Sequence, residues 1–403
     1  MNYIITLILI FCSGYYYSTM DNASTISIGL IWIGSAILLW KSIKSHKIHM
    51  KKNAAIFSLF YIIVVVFTSF VNFNIGLICI KQVSFIVFTL LITNFYEWKK
   101  FKDSYIKVML LIVIFAFLGY LIGNSNIVNM LPTIVNANGV KYISAIFFTI
   151  IQYDYGIISE RMQGLFWEPG LLTTYSIIAI LFLSKKDYSL KKYYLYLCIF
   201  IAAIILSKSG AGLTLLPITI INKWLQDKND IAKTSMKILI LFLIALSIAF
   251  TSIGDRLIDN TWLNTYLFSK ITNEENISSK ARIDSVKNDM EIAYNNLPFG
   301  VSIDMYASES SKSSFDSSGT STLTIYIASY GILGVLLVIL LIKSLIILSK
   351  SLNCNFFGFI STFFIFIMIL SKEPHVGLLL MNCLFVYPFT GMCQTKGRRY
   401  IGK

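Results

Sequence analysis

Charge is what this chain has least of. Asp, Glu, Lys and Arg make up 13% of its 403 residues, against 56% hydrophobic residues and a mean hydropathy of +0.72. That balance excludes a soluble globular protein of ordinary composition and reads as a polytopic membrane protein. Cysteine pairing motifs are missing as well: the six cysteines, at 12, 79, 198, 354, 383 and 393, show no CxxC spacing, which argues against a disulfide framework and against a zinc site. The first residues lack the basic n-region and small-residue cleavage site of a signal peptide, so the opening apolar run is expected to stay as a helix. A net charge of +14 would suggest nucleic acid in a soluble protein, but here its meaning lies in how Lys and Arg are shared among the loops.

What is present is a series of apolar runs, at about 3–17, 25–40, 54–72, 75–95, 106–123, 170–184, 193–207, 211–222, 237–253, 322–348, 356–371 and 376–393. Judged against roughly twenty apolar residues per crossing, they predict an all-α fold of about twelve transmembrane helices, with those at 170–184, 193–207 and 211–222 short. The chain then divides into 1–123 with five helices, a first large outer loop 124–169, helices six to nine in 170–253, a second large outer loop 254–321, and the last three helices with a basic tail in 322–403. With both termini inside, 23 of the 34 Lys and Arg and only 5 of the 20 Asp and Glu fall on inner segments such as 185–192 (KKDYSLKK), as the positive-inside rule requires. Val140 to Tyr153 is apolar but too short to cross, and is expected to be an interfacial or re-entrant helix. In the second outer loop, Lys280 to Gly300 is expected to form an amphipathic helix and a turn, with Ile283, Val286, Met290 and Ala293 or Tyr294 on one face, which suits a helix lying on the membrane or on the bundle. Ser308 to Ser321 is expected to be a flexible linker or a mobile lid.

The stretch 161–170, RMQGLFWEPG, holds the most chemistry. Arg161 presents a planar fork that matches phosphate oxygens two at a time, and Glu168, just before a span, can accept a proton or hold that arginine in position. The same residues also suit an interfacial anchor, with Trp167 and Arg161 at the membrane surface and Pro169 as a helix N1 residue. Lys208, in a hairpin tip too short to leave the membrane, either snorkels or meets an anionic partner. Arg282 either binds an anion or pairs with Asp284 or Glu275. Lys81 lies about 10 Å into its span, a depth at which a cation is functional or snorkelling. Glu373 and His375, in the outer loop SKEPH, are further candidates for a base, and a structural role suits His375 equally well.

In order along the chain, RMQGLFWEPG at 161–170, LSKSGAG at 206–212, Arg282 with NLPFG at 296–300, and SYGILG at 329–334 resemble the successive motifs of the O-antigen polymerase and O-antigen ligase superfamily of bacterial inner-membrane glycosyltransferases, the polymerases in particular. The resemblance implies a substrate, oligosaccharide repeat units on undecaprenyl pyrophosphate at the periplasmic face, and a reaction, transfer of the growing glycan onto a sugar hydroxyl of the next lipid-linked unit. It implies an inner-membrane location with both termini cytoplasmic, contact with membrane lipid, and a chain-length regulator and a flippase as partners, with no cofactor and no nucleic acid. Arg161, Lys208 and Arg282 would face the charge that builds on the leaving pyrophosphate, without a metal, while Glu168 would serve as base and Trp167 and His375 would help to bind substrate. Two departures stand out. The region SSGTSTLTIY lacks the histidine that ligases of this superfamily usually carry there, and Lys208 stands where many members have Arg. A ligase, a flippase of the same lipid-linked sugars and a non-catalytic partner are the alternatives; against a transporter, the halves are dissimilar and only Lys81 lies within a span.

Overall fold

The computed structural model describes residues 2–19, 23–45, 50–123, 125–136, 139–145, 147–152, 158–225, 277–312, 321–353 and 355–391. The apolar run at 237–253, the second outer loop up to 276, residues 313–320 and the basic tail lie outside the described residues. The chain is mostly helical. In order it forms α1 (Asn2–Phe11), α2 (Ala23–Ser45), α3 (Lys52–Val71), α4 (Leu77–Phe95), α5 (Trp98–Gly123), three strands, α6 (Pro169–Phe182), α7 (Leu190–Leu206), α8 (Gly210–Leu225), α9 (Ile277–Asn295), α10 (Ile303–Lys312), α11 (Thr322–Leu352), α12 (Phe356–Lys372) and α13 (Leu379–Val386). Five of these helices, α2 to α5 and α11, are long and apolar enough to cross a membrane.

Contacts between helix ends sort into two rims. At one, Asn94 accepts from the Lys51 backbone N–H, the rings of Trp98 and Tyr387 pack together, Tyr188 donates to Asp103, and Lys223 donates to the carbonyls of Leu181 and Leu183 at the end of α6. With Lys51, Lys99, Lys185 and Lys223 gathered there, this is the basic rim. At the other, Asn72 donates to the Gly300 carbonyl, Asp304 accepts from the N–H groups of Gly76, Ile78 and Cys79 at the start of α4, and Trp167 donates to the Gly14 carbonyl.

Two sequence expectations need correction. Val140 to Tyr153 is not a helix: its described residues form β2 (Lys141–Ala145) and β3 (Phe148–Gln152), paired antiparallel with Lys141 opposite Gln152, and β1 (Thr133–Val135) pairs with the other edge of β2. Isoleucine, phenylalanine and threonine suit a pleated, half-buried surface, and alternation decides the rest. Ile143, Phe148 and Ile150 pack with Val128, and Phe148 rests on α5, where a Cβ on Gly119 would come within 2.6 Å of its ring. The fold is therefore not purely α-helical. Second, the Ser-rich stretch begins as helix, since α10 runs through Lys312. Helix α9, whose apolar face suits the membrane or the bundle, turns most of that face away from the bundle. Ser285, Asn288 and Asp289 are buried, whereas Ile283, Met290 and Tyr294 are exposed.

Gly331 breaks α11 with φ 59° and ψ −132°. A Cβ on Gly334 would strike the Tyr326 carbonyl, although residues eight apart in a straight helix are separated by about 12 Å. Residues 322–330 therefore form a short helix folded back against the long one at 332–352. Tyr326 of this short helix shares a 2.6 Å hydrogen bond with Tyr61, halfway along α3, and Tyr330 donates to Gln82 at 2.6 Å. Polar side chains so deep persist only because each has a partner.

Candidate functional site

Backbone pairing fixes the stretch around Glu168. Thr149 of β3 donates from its N–H to the Gly164 carbonyl at 2.7 Å, Tyr142 of β2 donates to the Trp167 carbonyl at 3.0 Å, and Tyr16, after α1, donates from its N–H to the Leu165 carbonyl at 2.9 Å. The sheet and the end of α1 thus brace residues 164–167 from two sides. Pro169 then opens α6, which suits its fixed φ and missing N–H.

The four motifs meet in two pairs. Arg161 Nε donates to the Ser207 carbonyl at 3.1 Å, Met162 N–H to the Leu206 carbonyl at 3.0 Å, and the hydroxyls of Thr173 and Ser207 are bonded to each other. A Cβ on Gly212 would collide with the Thr173 side chain, so the glycine lets α8 close on α6. The first and second motifs are therefore one unit. In the second pair, Ile332 N–H donates to the Pro298 carbonyl at 2.9 Å, and a Cβ on Gly300 would lie 2.6 Å from the Ser329 carbonyl and the Gly331 nitrogen. NLPFG and SYGILG touch backbone to backbone where only glycine fits, and both Gly300 (φ 71°) and Gly331 take left-handed φ values.

Lys208 is 8% exposed, with its ammonium 3.1 Å from Glu160 Oε2. Its φ of 49° is left-handed, which for a non-glycine residue costs roughly 1–2 kcal/mol. Strain and burial together set Lys208 apart from a lysine merely reaching for the surface.

The loop between α12 and α13 brings in the candidate base Glu373 and adds Lys372, which sequence reading missed. Lys372 Nζ lies 3.0 Å from Glu373 Oε1 and 3.2 Å from Ser209 Oγ, both Lys372 and Glu373 having nearly buried side chains. A Cβ on Gly170 would come within 2.7 Å of Glu373 Oε1 and 3.3 Å of Lys372 Nζ. The glycine of Glu-Pro-Gly thus opens the start of α6 to a second carboxylate, near the positive end of that helix. Burial and the neighbouring Glu373 charge push Glu168 well above the usual carboxylate range. Burial alone would raise Glu373 too, but a hydrogen bond from Glu168 and the charge of Lys372 outweigh it and hold Glu373 below that range. Between them the two carboxyls hold one proton and one negative charge, as close carboxyl pairs do.

The remaining candidates are placed as follows. Trp167 is half-buried beside Glu168. His375 is fully buried, its N–H donating to Thr322 Oγ1 at 2.8 Å while neither ring nitrogen has a hydrogen-bond partner, and burial lowers its imidazole to about 4. That removes it from the reach of a substrate arriving at the rim. Arg282 is half-buried and, among the described residues, makes no hydrogen bond or ion pair. Asp289 accepts from Thr324 and Pro298 from Ile332, so α9 runs in the same direction as 322–330 and its Arg282 end lies toward Thr322, whose hydroxyl donates to the Glu373 carbonyl at 2.7 Å. Lys81 lies 5.6 Å from the Phe85 ring centroid, outside this cluster. No group of three or more His, Cys, Asp or Glu able to hold a metal occurs among the described residues. No family model matches the chain, and no curated protein matches it.

Proposed function

We propose that this protein polymerises oligosaccharide repeat units carried on undecaprenyl pyrophosphate, with twelve spans, the basic rim in the cytoplasm and the Glu168 rim at the periplasmic face of a bacterial inner membrane. The observation that carries the reading is the meeting of Glu168 and Glu373 with Arg161, Lys208 and Lys372 at one rim, from stretches up to 212 residues apart. Cleaving a glycosyl pyrophosphate requires fixed positive charge where the leaving group gathers negative charge. Arg161, Lys208 and Lys372 supply it, with Arg282 approaching from α9. The attacking sugar hydroxyl must lose a proton, and a base works best when its pKa lies near the ambient pH. Glu168 is the more exposed of the carboxyl pair and meets the hydroxyl. As it takes that proton, the proton already shared within the pair passes to Glu373, so the unit gains one proton and loses its charge. The sugar oxygen bonds to the anomeric carbon while the bond to the pyrophosphate breaks, and the lipid pyrophosphate leaves with its electron pair.

The test is incubation of the purified protein with a lipid-linked repeat unit alone. A ladder of longer glycans on the lipid is expected. Transfer seen only when lipid A core is added would make the protein a ligase, and movement of the lipid across a vesicle with no new glycosidic bond would make it a flippase.

A further inference from the structure

In the sequence the apolar face of α9 suits the membrane or the bundle, and the fold turns most of it away from the bundle. Its inward face pairs polar groups with the buried Ile292 and Ala293: Asp289 accepts from Thr324 of α11 and from Tyr306 of α10, and Asn288 donates to Ser310 at 3.1 Å while its Oδ1 has no hydrogen-bond partner. Outward it has two adjacent lines. One is apolar, with Ile283, Met290 and Tyr294 exposed at 58%, 42% and 78%, and continues into Leu297 and Phe299. The other is polar, formed by the exposed Lys287, Glu291 and Asn295. The apolar line does not end with the helix: the Phe299 ring meets that of Phe67 on α3 at 5.6 Å between centroids, and Phe67 and Phe70 extend it along the exposed side of a helix apolar and long enough to span, with Phe73 exposed in the turn beyond.

We infer that α9 lies in the membrane interface on the Glu168 side, with Ile283, Met290, Tyr294 and Leu297 against lipid acyl chains and Lys287, Glu291 and Asn295 at the headgroups. The inner face so paired leaves the bundle no use for the apolar line. Continuity with α3 names the occupant, because acyl chains that cover Phe67 and Phe70 also reach Phe299 and Leu297. A helix divided in this way settles about 5–10 Å into the boundary between headgroups and chains. So placed, α9 carries Arg282, on its inner flank, to the depth of lipid phosphates.

The experiment reads the surroundings of single sites. A fluorophore is attached at Tyr294→Cys or at Glu291→Cys in the full chain, reconstituted in phosphatidylcholine vesicles, and the signal of the labelled parent is subtracted. Lipids with a nitroxide near the top of the acyl chain should quench the Tyr294 label several-fold more than aqueous iodide does, and iodide should win at Glu291. Stronger iodide quenching at both sites would overturn the proposal by placing α9 in water. Protection of Tyr294 from both quenchers would overturn it by showing a protein cover, whether residues 226–276 or a second copy. Should Tyr294→Cys fail to reach the membrane, Met290→Cys, about one turn earlier on the same line, carries the same measurement.

Discussion

Helices α2 to α5 and helices α6 and α13 are built from similar residues and do opposite things. The first group is 19 to 26 residues long and turns apolar side chains outward, Trp40 and Ile33 being 74% and 60% exposed. Helix α6 has 14 residues and α13 has 8, and every one of them is buried. At 1.5 Å per residue α6 covers about 21 Å, short of a hydrocarbon layer of about 30 Å. Length and exposure therefore separate helices that face lipid from helices that deliver polar ends into the interior. Glu168 at the start of α6 and the Glu373 loop before α13 are such ends, and non-helical backbone at that depth is tolerated because protein surrounds it.

The comparison breaks most visibly at Glu168. Glu168→Gln keeps the shape and should lower the rate of ladder formation by ~10²–10⁴ at unchanged membrane levels, the range for loss of a general base. The wild-type rate should have an acid limb only: activity is lost at low pH as Glu373, held below the carboxylate range, takes a proton and leaves the pair no carboxylate to accept another. A normal ladder from Glu168→Gln would shift the chemistry to Glu373 alone.

Next in size is Arg161→Ala, with a loss of about 10²–10³, of which Arg161→Lys should recover part, since a point charge keeps the attraction without the two-pronged geometry. Arg282→Ala should cost less, because Arg161 is bonded into the α7–α8 turn and Arg282 is not bonded to the cluster. Equal losses would mean that α9 closes on the site during the reaction.

A smaller effect, on stability, is expected where the two glycine motifs touch. Gly300→Ala places a Cβ 2.6 Å from the Ser329 carbonyl at a left-handed φ and should destabilise by about 1–3 kcal/mol, read as a lower unfolding midpoint in detergent. Smallest of all, Ile33→Ala on the lipid side of α2 should change stability by no more than about 0.5 kcal/mol and leave the rate unchanged. A large loss there would mean that α2 faces protein and not lipid.

Much of this was legible in the residues. The apolar runs marked the helices, and the motifs at 161–170 and 206–212, and at 296–300 and 329–334, proved to be contact partners. Glu373 was named as a candidate base, but Lys372 and the pairing with Glu168 were harder to see, because the loop gains its meaning only when Gly170 lets it reach the start of α6, and nothing local to SKEPH shows that. The strands at 141–152 were misread because an eleven-residue apolar core does not reveal its period when both faces are partly covered. The orientation of α9, toward the membrane or toward the bundle, was left open for a different reason. Periodicity finds the apolar face, but in a chain that spans a membrane the outside can be the more apolar side.

The shortness of α6 has a consequence for the surrounding bilayer. A short helix facing lipid would force the membrane to thin or the helix to shift, at some cost for every ångström of mismatch. Since all of α6 is enclosed by longer helices, lipid never meets the mismatch. The thinning takes place inside the protein, and charged groups can sit below the plane of the surrounding headgroups without deforming the leaflet around them.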